Sequence, residues 1–171
     1  DVLKINEIKN FANTNNLKLL FIWWGTNTLF AFEEFNWIVI KNNLRWYNYD
    51  KNTKILEVST QENIRDIALI LKEKYKNDLW YRFIWLPGTI GWAIYWNAWC
   101  FWLETENNFL SAEAYNFSTW KIEIITKDEV NFSYRNSIFK ETNNYFLLKA
   151  FFDLSKMEEK YSNDKDVIQF R

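Results

Sequence analysis

The chain has 171 residues, a formal net charge of -1, one cysteine, no histidine, three glycines and eleven tryptophans. That length holds one sizeable domain or two small ones with a real core. The near-neutral balance leaves no basic field for nucleic acid or an anionic membrane surface, and a lone Cys100 without histidine excludes a disulfide scaffold and a Cys/His metal site.

Leu3, Ile5, Ile8, Phe11 and Ala12 recur at helical spacing, which predicts a helix in residues 3–15 that Asn13 to Asn16 end. Leu17 to Ile22 is a short apolar run bounded by loop signals, the pattern of a buried strand. After an acidic turn at Glu33 and Glu34, Trp37 to Lys41 predicts a second strand, and this first unit ends near Leu44. A hairpin follows, Arg45 to Tyr49 with Ile55 to Ser59, turned by Asp50-Lys51-Asn52-Thr53. Thr60 is expected to cap the next helix, with Asn63 at its third position and Ile64, Ile67, Ala68 and Leu71 on its buried face.

A long loop is expected from Trp80 to Trp102. Most of it falls in an uncharged stretch, Phe83 to Leu103, that would tempt a membrane reading. Pro87, Gly88 and Gly91 break that stretch early, and its tryptophans run through the middle rather than belting the ends, so no span is expected. Phe109 to Asn116 and Lys121 to Thr126 alternate as a strand pair turned at Ser118-Thr119-Trp120. Asn131 to Lys140 is irregular, Tyr145 to Leu154 is a strong strand, and Lys156 to Arg171 is charged and helix-like.

Three segments carry chemistry. The first is Trp23-Trp24-Gly25-Thr26-Asn27, directly after a strand. With glycine at 23 and 24 it is a phosphate-cradling turn, because backbone N–H groups then approach a pyrophosphate with no side chain between; with two indoles it is a buried aromatic pair. The second runs from Trp80 to Trp102. As written, Trp92, Trp96 and Trp99 form a helical aromatic stripe for core packing or sugar stacking; with glycine the segment brings backbone close to a flat or phosphorylated ligand. The third, Asn131-Phe132-Ser133-Tyr134-Arg135-Asn136-Ser137-Ile138-Phe139-Lys140, sets an arginine between a tyrosine and an asparagine, a fixed cation for a carboxylate.

These motifs resemble one family, the UDP-N-acetylenolpyruvoylglucosamine reductases (UDP-N-acetylmuramate dehydrogenases) of peptidoglycan synthesis. The resemblance runs from the loop 23–27 through Phe35 to Asn42, the segments 85–92 and 97–99, and ends at 131–140, which contains no tryptophan. All eleven tryptophans (23, 24, 37, 46, 80, 85, 92, 96, 99, 102, 120) fall where this family usually or plausibly has glycine. They are therefore read as glycines: some bacteria decode UGA as glycine, and a common alternative code renders that codon as tryptophan. Restoring them brings the glycine share close to the ordinary ~7%.

The resemblance implies an α+β fold, the two-subdomain FAD-binding domain of the PCMH or vanillyl-alcohol-oxidase-like type. Residues 1–44 would form an N-terminally truncated first subdomain, 45–154 the second, and 155–171 the start of a C-terminal substrate domain. By similarity Trp23, Trp24, Gly25, Thr26 and Asn27 would hold the FAD pyrophosphate. Leu86, Pro87, Gly88, Thr89, Ile90, Asn97 and Ala98 would line the flavin and its phosphates. Arg135 matches the family's active-site arginine, which holds and polarises the enolpyruvyl substrate, with Tyr134 in support.

The family uses NADPH as co-substrate and a UDP-sugar as substrate. Its protonating serine and assisting glutamate lie in the C-terminal domain, so neither Ser137 nor Glu159 is given either role, and this piece alone is expected to be inactive. A cytoplasmic setting is expected, with no metal, nucleic acid, membrane or obligate protein partner. Two other readings stand beside this one: a different PCMH-type FAD oxidoreductase, and a non-enzymatic Trp-rich module for carbohydrate or a membrane interface.

Overall fold

The computed structural model describes residues 2–22, 31, 34–142 and 144–155. The chain divides into two compact units, Asp1–Asn43 and Leu44–Arg171.

In the first unit α1 (Val2–Thr14) buries Ile5 and Ala12 and delivers the chain into β1 (Lys18–Ile22). The Leu17 N–H donates to the Ala12 carbonyl at 2.8 Å, closing that junction. β1 pairs in parallel with β2 (Trp37–Lys41), Lys18 opposite Trp37 and Ile22 opposite Lys41. Parallel pairing requires a crossover connection between the two strands.

The second unit is an antiparallel five-stranded sheet with helices over one face. β3 (Tyr47–Tyr49) and β4 (Ile55–Ser59) form the expected hairpin, and Asp50 Oδ1 accepts the Asn52 N–H at 2.8 Å to hold its turn. That bond, with the one to Thr53, keeps the Asp50 carboxyl below its ordinary range. α2 (Ile64–Tyr75) buries Ile64, Ile67, Ala68 and Leu71, as its periodicity predicts.

Its cap differs from expectation. Asn63 is the N-cap, its Oδ1 accepting from the Arg65 and Asp66 N–H groups at 3.0 and 3.4 Å. Thr60 is fully buried, and its hydroxyl donates to the Leu147 carbonyl at 2.7 Å. A buried hydroxyl beside a strand carbonyl serves that carbonyl, and the helix starts one turn later.

The expected long loop is largely ordered. It contains a 3-10 helix (Tyr81–Trp85), α3 (Ile90–Tyr95) and β5 (Trp99–Cys100), which pairs with β6 (Leu103–Glu104) just beyond it, and α4 (Thr105–Asn108) follows. α3 stops at Tyr95 because Asn97 turns into the left-handed region at φ +40°. Trp92, Trp96 and Trp99 therefore do not share one helical stripe.

β7 (Phe109–Asn116) and β8 (Lys121–Thr126) pair as predicted. α5 (Lys127–Val130) carries a capping box between Thr126 and Glu129, and α6 (Ile138–Thr142) follows. The irregular segment 131–140 thus ends in helix. β9 (Tyr145–Asp153) enters between β4 and β7, giving the order β3-β4-β9-β7-β8. Leu56, Phe109 and Phe152 meet across the three central strands and are buried. Trp80 packs edge-on against Phe152 and Phe83, and its indole N–H donates to Asn108 Oδ1 at 3.3 Å.

Candidate functional site

The segment from Leu86 to Ala98 is strapped across the start of α2. The Gly88 carbonyl accepts the Ile64 N–H at 3.1 Å, the Ile90 N–H donates to Glu62 O at 2.9 Å, and the Gly91 N–H donates to Thr60 O at 2.8 Å. Thr89 caps α3, its Oγ1 accepting the Trp92 N–H at 3.2 Å. Leu86, Thr89 and Ile90 are buried, while Pro87 is exposed.

Gly88 presents a bare α-carbon on this turn. That residue has φ +119°, a conformation side chains rarely adopt. Trp92 covers it: a Cβ at Gly88 would lie 3.0 Å from Trp92 Cε3.

Asn97 and Ala98 lie inside the fold. Asn97 Nδ2 donates to Glu104 Oε2 and to the Ser133 carbonyl, both at 3.2 Å, and its Oδ1 accepts the Glu106 N–H at 3.1 Å. The Ala98 N–H donates to Ala93 O at 2.8 Å, and its carbonyl accepts both the N–H and the hydroxyl of Thr105. Burial pushes the Glu106 carboxyl up, and its hydrogen bond and repulsion with Glu104 push it further; Lys127 and Asn97 pull the other way.

The third segment folds back onto this one. Ser133 and Asn136 exchange N–H···O bonds at 3.2 and 3.1 Å, closing a tight loop with Tyr134 and Arg135 at its tip. Tyr134 is 78% exposed. Arg135 stands at φ +55°, its guanidinium carbon 5.7 Å from the centroid of the Trp99 ring. It has no carboxylate partner among the described residues. Lys140 Nζ donates to the Arg135 carbonyl at 3.1 Å and lies 4.1 Å over Trp96; the Ser137 hydroxyl donates to Tyr95 O at 2.8 Å.

Two segments that the sequence names separately are therefore one constellation, joined through Asn97 and Ser133. Trp23, Trp24, Gly25, Thr26 and Asn27 lie outside the described residues. Glu104 was not anticipated by sequence reasoning, and Lys140 appeared there only as the last letter of a motif. No spacing rule announces a side chain that reaches across from another segment.

The tryptophans of this region are poorly suited to their places. Trp99 and Trp102 stack on each other at the surface, with ring centroids 6.4 Å apart, and Trp102 is 69% exposed. Trp102 at φ +71° and Trp120 at φ +58° occupy the left-handed region, which bulky side chains disfavour. Trp80 is the contrary case, fully buried in the core. No helix among the described residues is long and apolar enough to cross a membrane, and no group of three or more His, Cys, Asp or Glu among them could hold a metal ion.

No family model matches the chain. Among curated proteins it is similar to the UDP-N-acetylenolpyruvoylglucosamine reductases of Fervidobacterium nodosum (31% identity over 150 residues, covering 88% of this chain and 47% of that protein) and Prochlorococcus marinus subsp. pastoris (31% over 148 residues, 82% and 47%). The Chlamydia muridarum reductase is 26% identical over 165 residues, covering 96% of this chain and 54% of that protein. The chain spans about half the length of the curated relatives it matches. The crystal structure of UDP-N-acetylenolpyruvylglucosamine reductase from Thermus caldophilus superposes with a TM-score of 0.59 at 11% identity, over 94% of this chain and 56% of that one. The fold is the α+β fold of that reductase, the class that the motifs imply.

Proposed function

We propose that the chain is the flavin-binding part of a UDP-N-acetylenolpyruvoylglucosamine reductase, the NADPH-dependent enzyme that forms UDP-N-acetylmuramate for peptidoglycan in the cytoplasm. The observation that carries this reading is similarity to proteins of that name along 82–96% of the chain. The placement of Arg135 agrees with it: a half-buried cation without a carboxylate partner among the described residues, on a loop tied to the Leu86–Ala98 segment.

The residues fit a flat, phosphorylated cofactor on one condition. The Gly88 α-carbon is a surface without a side chain, and the Trp92 indole lies over it, where glycine at 92 would leave it open. We read the other ten tryptophans in the same way. Residues 23–27 would hold the pyrophosphate of FAD and 86–90 its ring and phosphates. Bound there, the flavin supplies hydride transfer from NADPH to the enolpyruvyl double bond. Arg135 binds and orients the substrate carboxylate through paired N–H donors, and Tyr134 stands beside it at the surface.

The test uses the full-length protein from its own host. It is expected to be yellow, to oxidise NADPH only when the enolpyruvyl UDP-sugar is present, and to give peptides lighter by the Trp-to-Gly difference at each of the eleven positions. Unshifted peptide masses sink the glycine reading; colourless, inactive protein sinks the reductase reading. The 171-residue piece alone is expected to show no turnover.

A further inference from the structure

We propose that Asn97 is a positioning residue for Arg135, acting through the carbonyl of Ser133 rather than touching cofactor or substrate. The inference rests on the reading of Arg135 given above. It deepens that reading by changing the role of a residue that similarity would place at the flavin.

The Asn97 side chain is 1% exposed, and both ends are engaged with protein. Its amide nitrogen reaches Glu104 Oε2 on one side and Ser133 O on the other, both at 3.2 Å, and its oxygen accepts the Glu106 N–H at 3.1 Å. An amide has two donor hydrogens, so this geometry employs both. The backbone at φ +40° is one that asparagine tolerates better than most residues. Asn97 therefore links three segments: the end of α3, the β6–α4 corner, and the loop closed by Ser133 and Asn136.

That loop needs an external hold. Arg135 sits at φ +55°, which an arginine adopts only when its surroundings impose it. Three contacts impose it here: the Ser133–Asn136 pair within the loop, Lys140 Nζ on the Arg135 carbonyl at 3.1 Å, and Asn97 on the Ser133 carbonyl. Of these three, the last is the hydrogen bond that joins the Arg135 loop itself to the segment 86–98; just past the loop the Ser137 hydroxyl adds a second tie, to the Tyr95 carbonyl. Loss of the Asn97 bond leaves the guanidinium present but displaced relative to the ligand surface, and misplacement on the scale of about 1 Å lowers rate on the order of 100-fold.

The experiment is a double-mutant cycle on kcat/KM in the full-length, flavin-loaded protein, with Asn97→Ala and Arg135→Ala alone and together. Asn97→Ala is expected to keep its flavin and lose about 10- to 100-fold in kcat/KM. In the Arg135→Ala background the same change is expected to matter by less than about 3-fold, because the group it positions is gone. Full additivity overturns the proposal, as does loss of flavin from folded Asn97→Ala, which would place Asn97 at the cofactor.

Asn97→Asp is the second variant. It has the same shape and keeps the acceptor for Glu106 but replaces the amide donors with a carboxylate oxygen that faces Glu104 and the Ser133 carbonyl, which breaks that tie, and it is expected to repeat the non-additivity. If Arg135→Ala alone leaves turnover intact, the reductase reading of Arg135 fails, a result separate from additivity between two damaging changes.

Discussion

The indole of Trp92 lies against the α-carbon of Gly88, so close that a methyl group added there would lie 3.0 Å from Trp92 Cε3. One residue thus closes the surface that its neighbour's lack of a side chain opens. A chain made with real tryptophans is expected not to retain FAD, whereas the same chain with glycine at all eleven positions is expected to bind it. Absorbance of the flavin after gel filtration reads the difference. Yellow, flavin-replete protein with verified Trp92 would show that the indole does not block the site.

Stability should separate the tryptophans from one another. In the tryptophan-bearing chain, Trp102→Gly relieves a left-handed backbone at an exposed position, and a gain of about 1 kcal/mol in denaturant unfolding is expected. Trp80→Gly empties a packed core site beside Phe83 and Phe152 and is expected to cost about 3 to 5 kcal/mol or more. Equal effects at the two sites would contradict the packing described.

The two residues at the start of α2 make distinguishable contributions. Asn63→Ala removes the cap from the Arg65 and Asp66 N–H groups and is expected to destabilise by about 1 kcal/mol. Thr60→Val strands the Leu147 carbonyl in a buried setting, for which about 1 to 3 kcal/mol is expected. If Thr60 were the cap, Asn63→Ala would be nearly silent in chemical denaturation.

Glu106 gives a dependence on pH. Its carboxyl titrates above the ordinary glutamate value, because burial and Glu104 disfavour the charge. The native state therefore prefers the proton. The stability this group contributes is full below the unfolded glutamate pKa and is lost as pH rises through the raised native one. Glu106→Gln is expected to match the parent in Tm in acid and exceed it at neutral pH. A constant difference across the titration would remove Glu106 as its source.

Much of the frame was legible from periodicity alone. The buried face of α2, the β3–β4 hairpin and the β7–β8 pair follow from where apolar residues recur, because those patterns report burial directly. The cap at Asn63 was misassigned to Thr60, since both are capping types and only tertiary packing draws Thr60 to Leu147. The segment 80–102 read as loop because glycine and proline signals outweighed two short helices that caps and neighbours hold in place. The candidate site was legible as two motifs but not as one place. Asn97 meets Ser133 across a separation in sequence that no local pattern spans.

The last strand in sequence is the middle strand in space. β9 lies between β4 and β7, so a chain emerging from the ribosome can form the hairpins β3–β4 and β7–β8 early but cannot join them until residues 145–153 arrive. Until then each hairpin presents an unpaired edge, and Leu56 and Phe109 lack the Phe152 that finally lies between them. Translation arrested before residue 145 would leave two sticky halves of a sheet, which makes the closing strand the step at which this domain escapes aggregation.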